Sequence, residues 1–350
     1  RQIPCVPIMT MRITLHTRTL HFKQPAKTSR GQYTSRISRY VVVESGGVRG
    51  VGECATLPDL SCDERSDYDL LLRQFCDTIE RTGRIPYEAL RPYPSMLFGI
   101  ETAFAQLAAG GSTALFDTPF ARGEVGIPTN GLVWMGSYDQ MLARMQEKLD
   151  LGFRCIKLKI GAIDFDKELE LLRIIRSAFP KDKVELRVDA NGAFAPNEAK
   201  VRLEQLARYD LHSIEQPIRQ HQWTDMARLC QESPIAIALD EELIGVNIPS
   251  EKERLLDTIH PQYVVLKPSL HGGMMGCEEW VSMAKIRGIG SWMTSALESN
   301  VGLNAIAHLA AHTYGTDDIM PQGLGTGQLF TDNIDMPIAL RGERMYYDHH

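Results

Sequence analysis

The 350-residue sequence has no long apolar run, no cluster of basic residues and no paired cysteine motif. None of its apolar runs approaches the roughly 20 residues that a membrane-spanning helix needs, which argues against a membrane protein. The net charge of −6 and the lack of a block rich in lysine and arginine argue against a nucleic-acid partner. Seven cysteines without a C-x-x-C pair, and no signal-peptide pattern, favour reduced thiols and a cytoplasmic location.

The first part of the chain predicts three strands followed by helices. MRITLHTRTLHF, SRYVVVESGG and VRGVGECA alternate in the manner of strands, and SGG is a turn signal between the last two. The polar stretch KQPAKTSRGQYTS, residues 23–35, contains proline and glycine and predicts a loop. Helical periodicity follows from about residue 64 to residue 110. We therefore expect a separate α+β domain over residues 9–125.

Strands and helices alternate regularly over residues 126–326. The candidate strands are NGLVWM, FRCIKLKI, VELRVDA, LHSIEQP, IAIALDE, YVVLKPS, GSWMTSA and DDIMPQG. Eight strands with helices between them predict a closed parallel barrel. A doubly wound sheet is the alternative, but it would not bring consecutive strand ends together. The last stretch, residues 327–348, lacks a clear helix, and we expect it to return and add a strand to the N-terminal domain.

Several of the intervening helices have recognisable starts. Ser137 with Gln140, and Ser250 with Glu253, match the capping box, in which the first side chain accepts from a backbone N–H three residues later. Asp164 can cap the helix that follows it. These starts separate the predicted helices from the strands before them.

Charged residues end five consecutive candidate strands at intervals of about 25 to 30 residues, which is the length of one strand–helix unit. They are Lys159, Asp189, Glu215, Asp240 and Lys267. Strands of a parallel barrel are buried on both faces, so a charge at each end is costly unless the charges compensate one another. At the C-terminal mouth of a barrel they would converge on one small volume. A single acidic residue at a strand end is more often a helix cap or a surface ion pair, and the recurrence is what favours a site.

The three acidic residues suit a hard divalent cation. Asp189, Glu215 and Asp240 supply oxygen ligands from neighbouring strands, as Mg²⁺ prefers, with Mn²⁺ as a possible substitute. No histidine or cysteine joins them at ligand spacing, which disfavours zinc. The sequence therefore predicts a Mg²⁺ cofactor.

The two lysines suit removal of a proton next to a carboxylate. Lysine acts as a general base only when neutral, and its free side chain has a pKa of about 10.4, so the environment must favour the neutral form. Lys157 lies two residues before Lys159 and points to the same side of the strand, where its charge could hold Lys159 deprotonated. A divalent metal would stabilise the enediolate that results.

Three other interpretations remain open. Lys267 could be the nucleophile of a Schiff-base aldolase, although the three acids then have no role. Both lysines could act as bases on opposite faces of the substrate in an N-acylamino acid racemase or dipeptide epimerase. The barrel could also be a binding protein that has lost its metal. A small-molecule carboxylate is the expected partner in the favoured interpretation, and a homo-oligomer is compatible with the sequence.

The motifs around these residues resemble those of the enolase superfamily, specifically its muconate-lactonising subgroup. They are K-x-K at Lys157–Lys159, V-D-A-N at Val188–Asn191, I-E-Q-P at Ile214–Pro217, D-E at Asp240–Glu241 and K-P-S at Lys267–Ser269. GVGECATLPDLSCD, residues 50–63, is similar to a specificity loop of that subgroup's capping domain. The resemblance implies a modified TIM barrel, (β/α)7β, with an N-terminal α+β capping domain that the C-terminal segment completes. It also implies that Asp189, Glu215 and Asp240 hold Mg²⁺.

Further segments resemble the branch of the subgroup that forms 2-succinylbenzoate in menaquinone biosynthesis. They are FGIETA (98–103), NGLVWMG (130–136), TSALESNVG (294–302) and GLGTGQLF (323–330). This resemblance implies a lyase that dehydrates a succinyl-hydroxycyclohexadiene carboxylate, with Lys159 abstracting the α-proton and Lys267 stabilising the enediolate as a cation. The implied substrate-binding residues are Lys157, Asn191, Ser295, Gly325 and Thr326. GLGTG contains no acid to bind an amino group, unlike the corresponding segment of dipeptide epimerases, and we expect Glu298 to pair with Lys267 or to order its loop.

Overall fold

The computed structural model describes residues 10–28, 31–134 and 136–348. Residue 9, where the sequence predicts the first domain to begin, lies outside these ranges, as do residues 29–30 of the predicted loop and Met135 of the first candidate barrel strand. No helix within the described ranges is both long enough and apolar enough to cross a membrane.

An antiparallel sheet forms the N-terminal part of the molecule. Its strands, in spatial order, are β1 (Arg12–Thr28), β2 (Gly31–Ser45) and β3 (Val48–Ala55). The turn between β2 and β3 has positive φ at Gly46 (61°) and Gly47 (77°), as a two-residue hairpin turn requires. The turn predicted from SGG is therefore confirmed.

The prediction of a loop over residues 23–35 is wrong on both sides of residues 29–30, because β1 extends to Thr28 and β2 begins at Gly31. The two strands stay paired along the stretch, with a register shift between His21 and Ala26. Pro25 lies within the shifted part, where the ladder is interrupted and a residue without an N–H group is tolerated. Here the proline marks an irregularity within the strand pair and not its end.

Three helices follow the antiparallel sheet. They are α1 (Tyr68–Thr82), α2 (Tyr87–Leu90) and α3 (Pro94–Ala108). Helix α3 lies directly against the backbone of β3, since a Cβ atom added to Gly52 would lie only 1.6 Å from the carbonyl oxygen of Gly99. Only glycine permits this approach. Strands followed by helices agree with the predicted α+β character of this region.

The rest of the molecule is built on a parallel sheet. After the short strand β4 (Ile127–Pro128) come β5 (Gly131–Val133), β6 (Cys155–Lys159), β7 (Glu185–Asp189), β8 (Ser213–Glu215), β9 (Ala236–Leu239), β10 (Tyr263–Leu266) and β11 (Gly290–Met293). The strands from β5 to β11 form one seven-stranded sheet in sequence order. The helices between and after them are α4 (Tyr138–Asp150), α5 (Phe165–Ala178), α6 (Pro196–Leu206), α7 (Trp223–Glu232), α8 (Pro249–Ile259), α9 (Gly273–Ile286) and α10 (Asn300–Tyr314).

The eighth predicted strand, DDIMPQG, is reduced to two isolated bridges. Gln322 forms a parallel bridge with Thr129, and Gly323 forms one with Thr294. Thr129 precedes β5 and Thr294 follows β11, so residues 322–323 link the two edges of the sheet. The predicted fold class, an α/β modified TIM barrel with an N-terminal α+β domain, is confirmed.

The predicted helix starts are confirmed in two cases of three. The side chain of Ser137 accepts from the backbone N–H of Gln140, and Gln140 returns the bond, which completes the capping box. Asp164 caps α5. The box predicted at Ser250 is wrong, because Pro249 occupies the first helical position and Ser250 already lies inside the first turn.

The C-terminal segment forms a hairpin of β12 (Ile338–Arg341) and β13 (Arg344–Tyr347). β13 pairs with β4 and not with a strand of the N-terminal sheet, so the added strand expected there lies elsewhere. The segment does reach the N-terminal sheet earlier, through an antiparallel bridge between Phe22 and Phe330. The rings of these two residues lie with centroids 4.5 Å apart at an angle of 33°, and backbone hydrogen bonds join Lys23 to Leu329 and Thr331 to His21, so a short bridge takes the place of the expected strand. The division at residues 125 and 326 stays a prediction.

Candidate active site

Consecutive strands bring the predicted charged residues to one edge of the parallel sheet. Lys159 ends β6 and is paired in register with Asp189, which ends β7. Asp189 is paired in turn with Glu215, which ends β8. Asp240 and Lys267 are the first residues after β9 and β10. Because parallel strands end at the same edge, all five side chains reach the C-terminal mouth of the barrel.

Ion pairs connect these side chains beneath the mouth. The ammonium groups of Lys159 and Lys157 both contact Oδ2 of Asp189, Lys157 at 3.3 Å. Lys157 Nζ also lies 2.7 Å from Oε2 of Glu215. On the other side, Lys267 Nζ lies 2.6 Å from Oδ2 of Asp240. The structure therefore brings together all five strand-end charges and adds Lys157 between two of the acids.

Opposite charges dominate the protonation of three of these groups. Burial alone would raise the pKa of Asp189, but the charges of Lys159 and Lys157 outweigh burial and lower it. Burial alone would lower the pKa of Lys267, but Asp240 and Glu215 outweigh it and raise that pKa well above its usual range. Glu215 and Asp189 likewise raise the pKa of Lys157 against burial. Lys157 therefore keeps its charge, and Lys159 shares a carboxylate oxygen with a fixed cation.

Repulsion between the acids acts in the opposite direction at two other carboxyl groups. Burial and the charge of Asp189 raise the pKa of Glu215 to about 8. Burial and the charge of Asp240 raise the pKa of Glu241 to about 7. One oxygen each of Glu215, Asp240 and Glu241 is buried and accepts no hydrogen bond from the described part of the chain. The site thus has more negative oxygen atoms than its lysines and amides can satisfy.

These oxygen atoms fit a hard divalent cation. Within residues 10–28, 31–134 and 136–348, no group of three or more acidic, histidine or cysteine side chains is arranged to hold a metal ion. In the candidate site, the ammonium groups of Lys157 and Lys267 lie against the carboxylates. The donor set is nevertheless all oxygen, buried and incompletely satisfied, which is the chemistry that suits Mg²⁺. Asp189, Glu215 and Asp240 are the residues that could hold such an ion.

Asn191, which follows β7, connects Lys159 at the end of β6 to Glu241 after β9. Its Oδ1 accepts a hydrogen bond of 3.2 Å from Lys159, and its Nδ2 donates one of 2.8 Å to Glu241. Its backbone N–H donates to Asp189 at 2.9 Å. The residue has a φ of 45°, in the left-handed region that asparagine tolerates better than most residues. Although Asn191 lines the pocket as predicted, both ends of its amide already contact protein, so it orients Lys159.

A pocket opens above these charges. The predicted residues that line it are Lys157, Lys159, Asn191, Lys267, Ser295, Gly325 and Thr326. Asp189, Glu215 and Asp240 are almost fully buried beneath it. Sequence reasoning did not single out the rest of the lining, which includes Leu57, Leu60, Asn130, Leu132, Trp134, Glu241, Thr294, Ala296, Leu297 and Gly323. All ten lie in segments whose motifs resemble those of the enolase superfamily, namely residues 50–63, 130–136, 240–241, 294–302 and 323–330, and this resemblance is the signal that could have identified them.

The wall formed after β11 is ordered by hydrogen bonds within the protein. The hydroxyl groups of Ser295 and Thr326 lie 2.5 Å apart, so the two side chains contact each other at the edge of the pocket. Glu298 accepts from the hydroxyl of Ser269 at 2.6 Å and from the backbone N–H of Ala296 at 2.7 Å. Of the two roles expected for Glu298, the contacts favour ordering of the loop over pairing with Lys267.

His271 is a further residue that sequence reasoning missed. Its Nδ1 accepts a 2.8 Å hydrogen bond from the backbone N–H of Lys267, so its proton is on Nε2, which lies 3.1 Å from the backbone carbonyl of Asp240. Burial lowers the pKa of His271 to about 4, which favours this neutral form. The ring therefore joins the ends of two neighbouring strands. The K-P-S-L-H spacing, four residues from Lys267, was the available signal.

The fold and the site together define the class of protein. A model of the family described as Enolase C-terminal domain-like matches residues 140–341. The chain belongs to this family, and the resemblance to the enolase superfamily that the sequence predicts is confirmed.

Individual relatives narrow the comparison. The chain is 44% identical over 366 aligned residues to an o-succinylbenzoate synthase of Desulfotalea psychrophila, with 95% of this chain and 98% of that one covered. The crystal structure of MenC from the same organism is similar with a TM-score of 0.82 at 41% identity, over 96% and 99% of the two chains. A dipeptide epimerase of Enterococcus faecalis, in complex with Mg and L-Leu-L-Tyr, shares the fold with a TM-score of 0.83 at 19% identity, over 97% of both chains.

Proposed function

We propose that this protein is an o-succinylbenzoate synthase, a lyase that dehydrates a succinyl-hydroxycyclohexadiene carboxylate to 2-succinylbenzoate. One observation carries the proposal: two lysines line a single pocket from opposite sides of the barrel, with three buried carboxylates below them. Lys159 ends β6 and Lys267 follows β10, four strands further round the sheet. The relationship to the synthase of Desulfotalea psychrophila supports the choice of reaction.

Lys159 is the proposed base. In its neutral form it takes the proton from the carbon next to the substrate carboxylate, and the electron pair of the broken C–H bond moves onto the carboxylate oxygens. Asn191 and Asp189 hold the Nζ atom in place during this step. Lys157 Nζ lies 3.3 Å from the Asp189 oxygen that Lys159 also contacts, so a second lysine stands directly beside the base. The electron pair then returns, the ring C–O bond breaks, and Lys159 gives its proton to the leaving hydroxyl, which departs as water.

Lys267 is the proposed electrostatic partner. Asp240 and Glu215 keep it protonated, so it faces the substrate as a fixed cation and not as a second base. A cation on the far side of the ring stabilises the negative charge that develops after proton removal. Asp189, Glu215 and Asp240 would hold Mg²⁺, or Mn²⁺ in its place, and a divalent ion there would supply further positive charge next to the substrate carboxylate.

The remaining walls suit an apolar ring and not an amino group. Leu57, Leu60, Leu132 and Trp134 provide apolar surface opposite the charged floor. Gly325 and Thr326 belong to the GLGTG segment, which has no carboxylate for the amino terminus of a dipeptide. This difference supports dehydration over dipeptide epimerisation, and we assign the backbone N–H groups of the segment to the succinyl carboxylate.

Incubation with Mg²⁺ and the cyclohexadiene substrate tests the proposal directly. We expect aromatisation, observed in the ultraviolet, and its loss when EDTA removes the metal. Asp189→Asn, Glu215→Gln and Asp240→Asn should each weaken Mn²⁺ binding measured by electron paramagnetic resonance, which needs no turnover. A protein that leaves the substrate unchanged but exchanges the α-proton of L-Ala-L-Glu in deuterated water would contradict the proposal and favour epimerisation.

Lys267→Arg separates the two chemistries further. Arginine keeps the cation but cannot serve as a base, because it does not deprotonate in proteins. We expect this variant to retain part of its dehydration activity. Complete loss of dehydration, with normal metal binding, would indicate that Lys267 must lose a proton.

A further inference from the structure

One face of β2 presents a row of buried polar side chains to the barrel. Arg36, Ser38 and Tyr40 alternate along the strand and are all buried. Ser38 and Tyr40 donate to Glu53 of the neighbouring strand, whose carboxylate also accepts from the backbone at the start of α10. Arg36 stands at the end of this row, next to the pocket, and none of the steps of the proposed reaction uses it.

The guanidinium of Arg36 joins two backbone carbonyl groups from distant parts of the chain. Its Nη1 donates to the carbonyl of Ala296 at 2.5 Å, and its Nη2 donates to the carbonyl of Thr56 at 3.0 Å. Arg36 is only 3% exposed, so these bonds form away from water, where a charged donor is strongest. Only a planar fork can reach both acceptors at once.

The two carbonyl groups belong to two segments that are far apart in the sequence but lie side by side in the lining of the pocket. Thr56 directly precedes Leu57, which lines the pocket together with Leu60. Ala296 lines it together with Leu297. Leu57, Ala296 and Leu297 also pack in one apolar cluster, so a change in the position of either segment is passed to the other.

The positive charge of Arg36 is a second way in which this residue can affect the pocket, and an experiment can separate it from the effect of the two hydrogen bonds. Burial raises the pKa of Glu298, and the nearby Arg36 charge opposes this rise. Glu298 holds the backbone N–H of Ala296 and the hydroxyl of Ser269. A lysine at position 36 would keep that charge but would not bridge both carbonyl groups.

We propose that Arg36 is a positioning residue that holds these two lining segments together, fixes the shape of the pocket at this point and thereby determines which carboxylates the pocket accepts. This inference rests on the proposed function where KM is measured, but not where hydrogen–deuterium exchange is measured. The row Arg36, Ser38, Tyr40 ties the antiparallel sheet to the loop after β11, and Arg36 is the member whose two bonds reach segments that line the pocket.

The variants Arg36→Lys and Arg36→Met test the proposal, with Arg39→Met as the matched control. Arg39 lies three residues along the same strand, contacts the exposed Asp69 and does not contact a pocket wall. We expect KM for the cyclohexadiene substrate to rise about tenfold or more in both Arg36 variants, with kcat changed less than about threefold, because Lys159 and the acids stay in place. Arg39→Met should leave KM unchanged.

Amide hydrogen–deuterium exchange without substrate provides the readout that is independent of turnover. Exchange in residues 56–62 and 294–299 should accelerate together in both Arg36 variants and stay normal in Arg39→Met. If the wild-type protein fails to convert the substrate but exchange responds in this way, the proposed function is wrong and the positioning role stands. The bridging role is overturned if either Arg36→Lys or Arg36→Met matches the wild-type protein both in KM and in hydrogen–deuterium exchange. Should Arg36→Met not fold, Arg36→Lys decides alone.

Discussion

The carboxylate of Glu53 links the antiparallel sheet to the start of α10, and its removal should destabilise both. Glu53 is 1% exposed. Its Oε2 accepts from Ser38 at 2.8 Å, from Tyr40 at 3.3 Å and from the backbone N–H of Ser299 at 3.0 Å. Its Oε1 accepts from the backbone N–H of Gly302 at 3.1 Å. Negative charge at this position also favours the start of α10, where the helix dipole is positive.

The substitution Glu53→Gln removes the charge and one acceptor. If the amide oxygen takes the place of Oε2, its NH₂ group faces the N–H of Gly302, so one buried donor loses its partner. A hydrogen bond to a charged group contributes about 1.5–3 kcal/mol, and an unsatisfied buried group costs a similar amount. With three further bonds weakened to neutral ones, we expect a loss of about 3–5 kcal/mol. Ser38→Ala should cost about 2 kcal/mol and Tyr40→Phe, whose bond is longest, about 1 kcal/mol.

Thermal unfolding, followed by circular dichroism, measures this series. At about 2.1 cal/mol/K per residue, unfolding of the 350-residue chain has an entropy of about 0.7 kcal/mol/K, so a loss of about 3–5 kcal/mol should lower the midpoint of Glu53→Gln by roughly 4–7 °C. Glu44→Gln, on the exposed face of the same sheet, serves as the control and should be nearly neutral. A Glu53→Gln midpoint that matches the Glu44→Gln midpoint, or a Tyr40→Phe effect larger than that of Glu53→Gln, would refute the reasoning.

Three further predictions concern the site and its surroundings. Lys159→Ala should keep Mn²⁺ binding and lose about 10²–10⁴-fold in turnover, and α-proton exchange of the substrate with deuterated water in this variant would contradict the assignment of the base. His271→Asn keeps an acceptor near the Nδ1 position, so it should mainly weaken metal binding through Asp240. His271→Gln keeps a donor near the Nε2 position, so it should mainly reduce kcat through Lys267. Identical kinetic and metal-binding profiles of the two variants would exclude separate roles for the two ring nitrogens. Burial raises the pKa of Glu101 from 4.5 to about 8, so between these pH values the native protein holds a proton that the unfolded chain releases. The contribution of Glu101 to the free energy of unfolding is therefore lost as the pH rises from about 4.5 to 8. At 1.36 kcal/mol per pH unit, the loss is about 5 kcal/mol. Glu101→Gln should remove this dependence, and urea-unfolding free energies that run parallel with pH in wild type and variant would refute it.

The sequence predicted the barrel strands and the charges at their ends because both follow from local patterns. Apolar runs define the strands, and a charge that ends each of them stands out against that background. Lys159, Asp189 and Glu215 are in register because the strands are neighbours in both sequence and space. The capping box at Ser137 is equally local.

The remaining features depend on partners that lie far away along the chain. Nothing in the sequence near Arg36 identifies the carbonyl of Ala296, 260 residues later, as its hydrogen-bond acceptor. The continuation of β1 and β2 through Pro25 depends on their mutual pairing, which outweighs the local turn signals. Ser250 fails as a cap because a neighbouring proline starts the helix first. The apolar lining around Trp134 is visible only once the strand ends have been assembled.

The bare contact between α3 and β3 limits how the molecule can vary. Gly52 and Gly99 touch backbone to backbone, so there is no side chain at this point that could shrink, rotate or repack to absorb a substitution. Any larger residue must push the whole helix outward, and Glu101, which holds the first N–H groups of α9, moves with it. A single methyl group added far from the chemistry would therefore force α3 away from β3 and, through Glu101, disturb the start of α9.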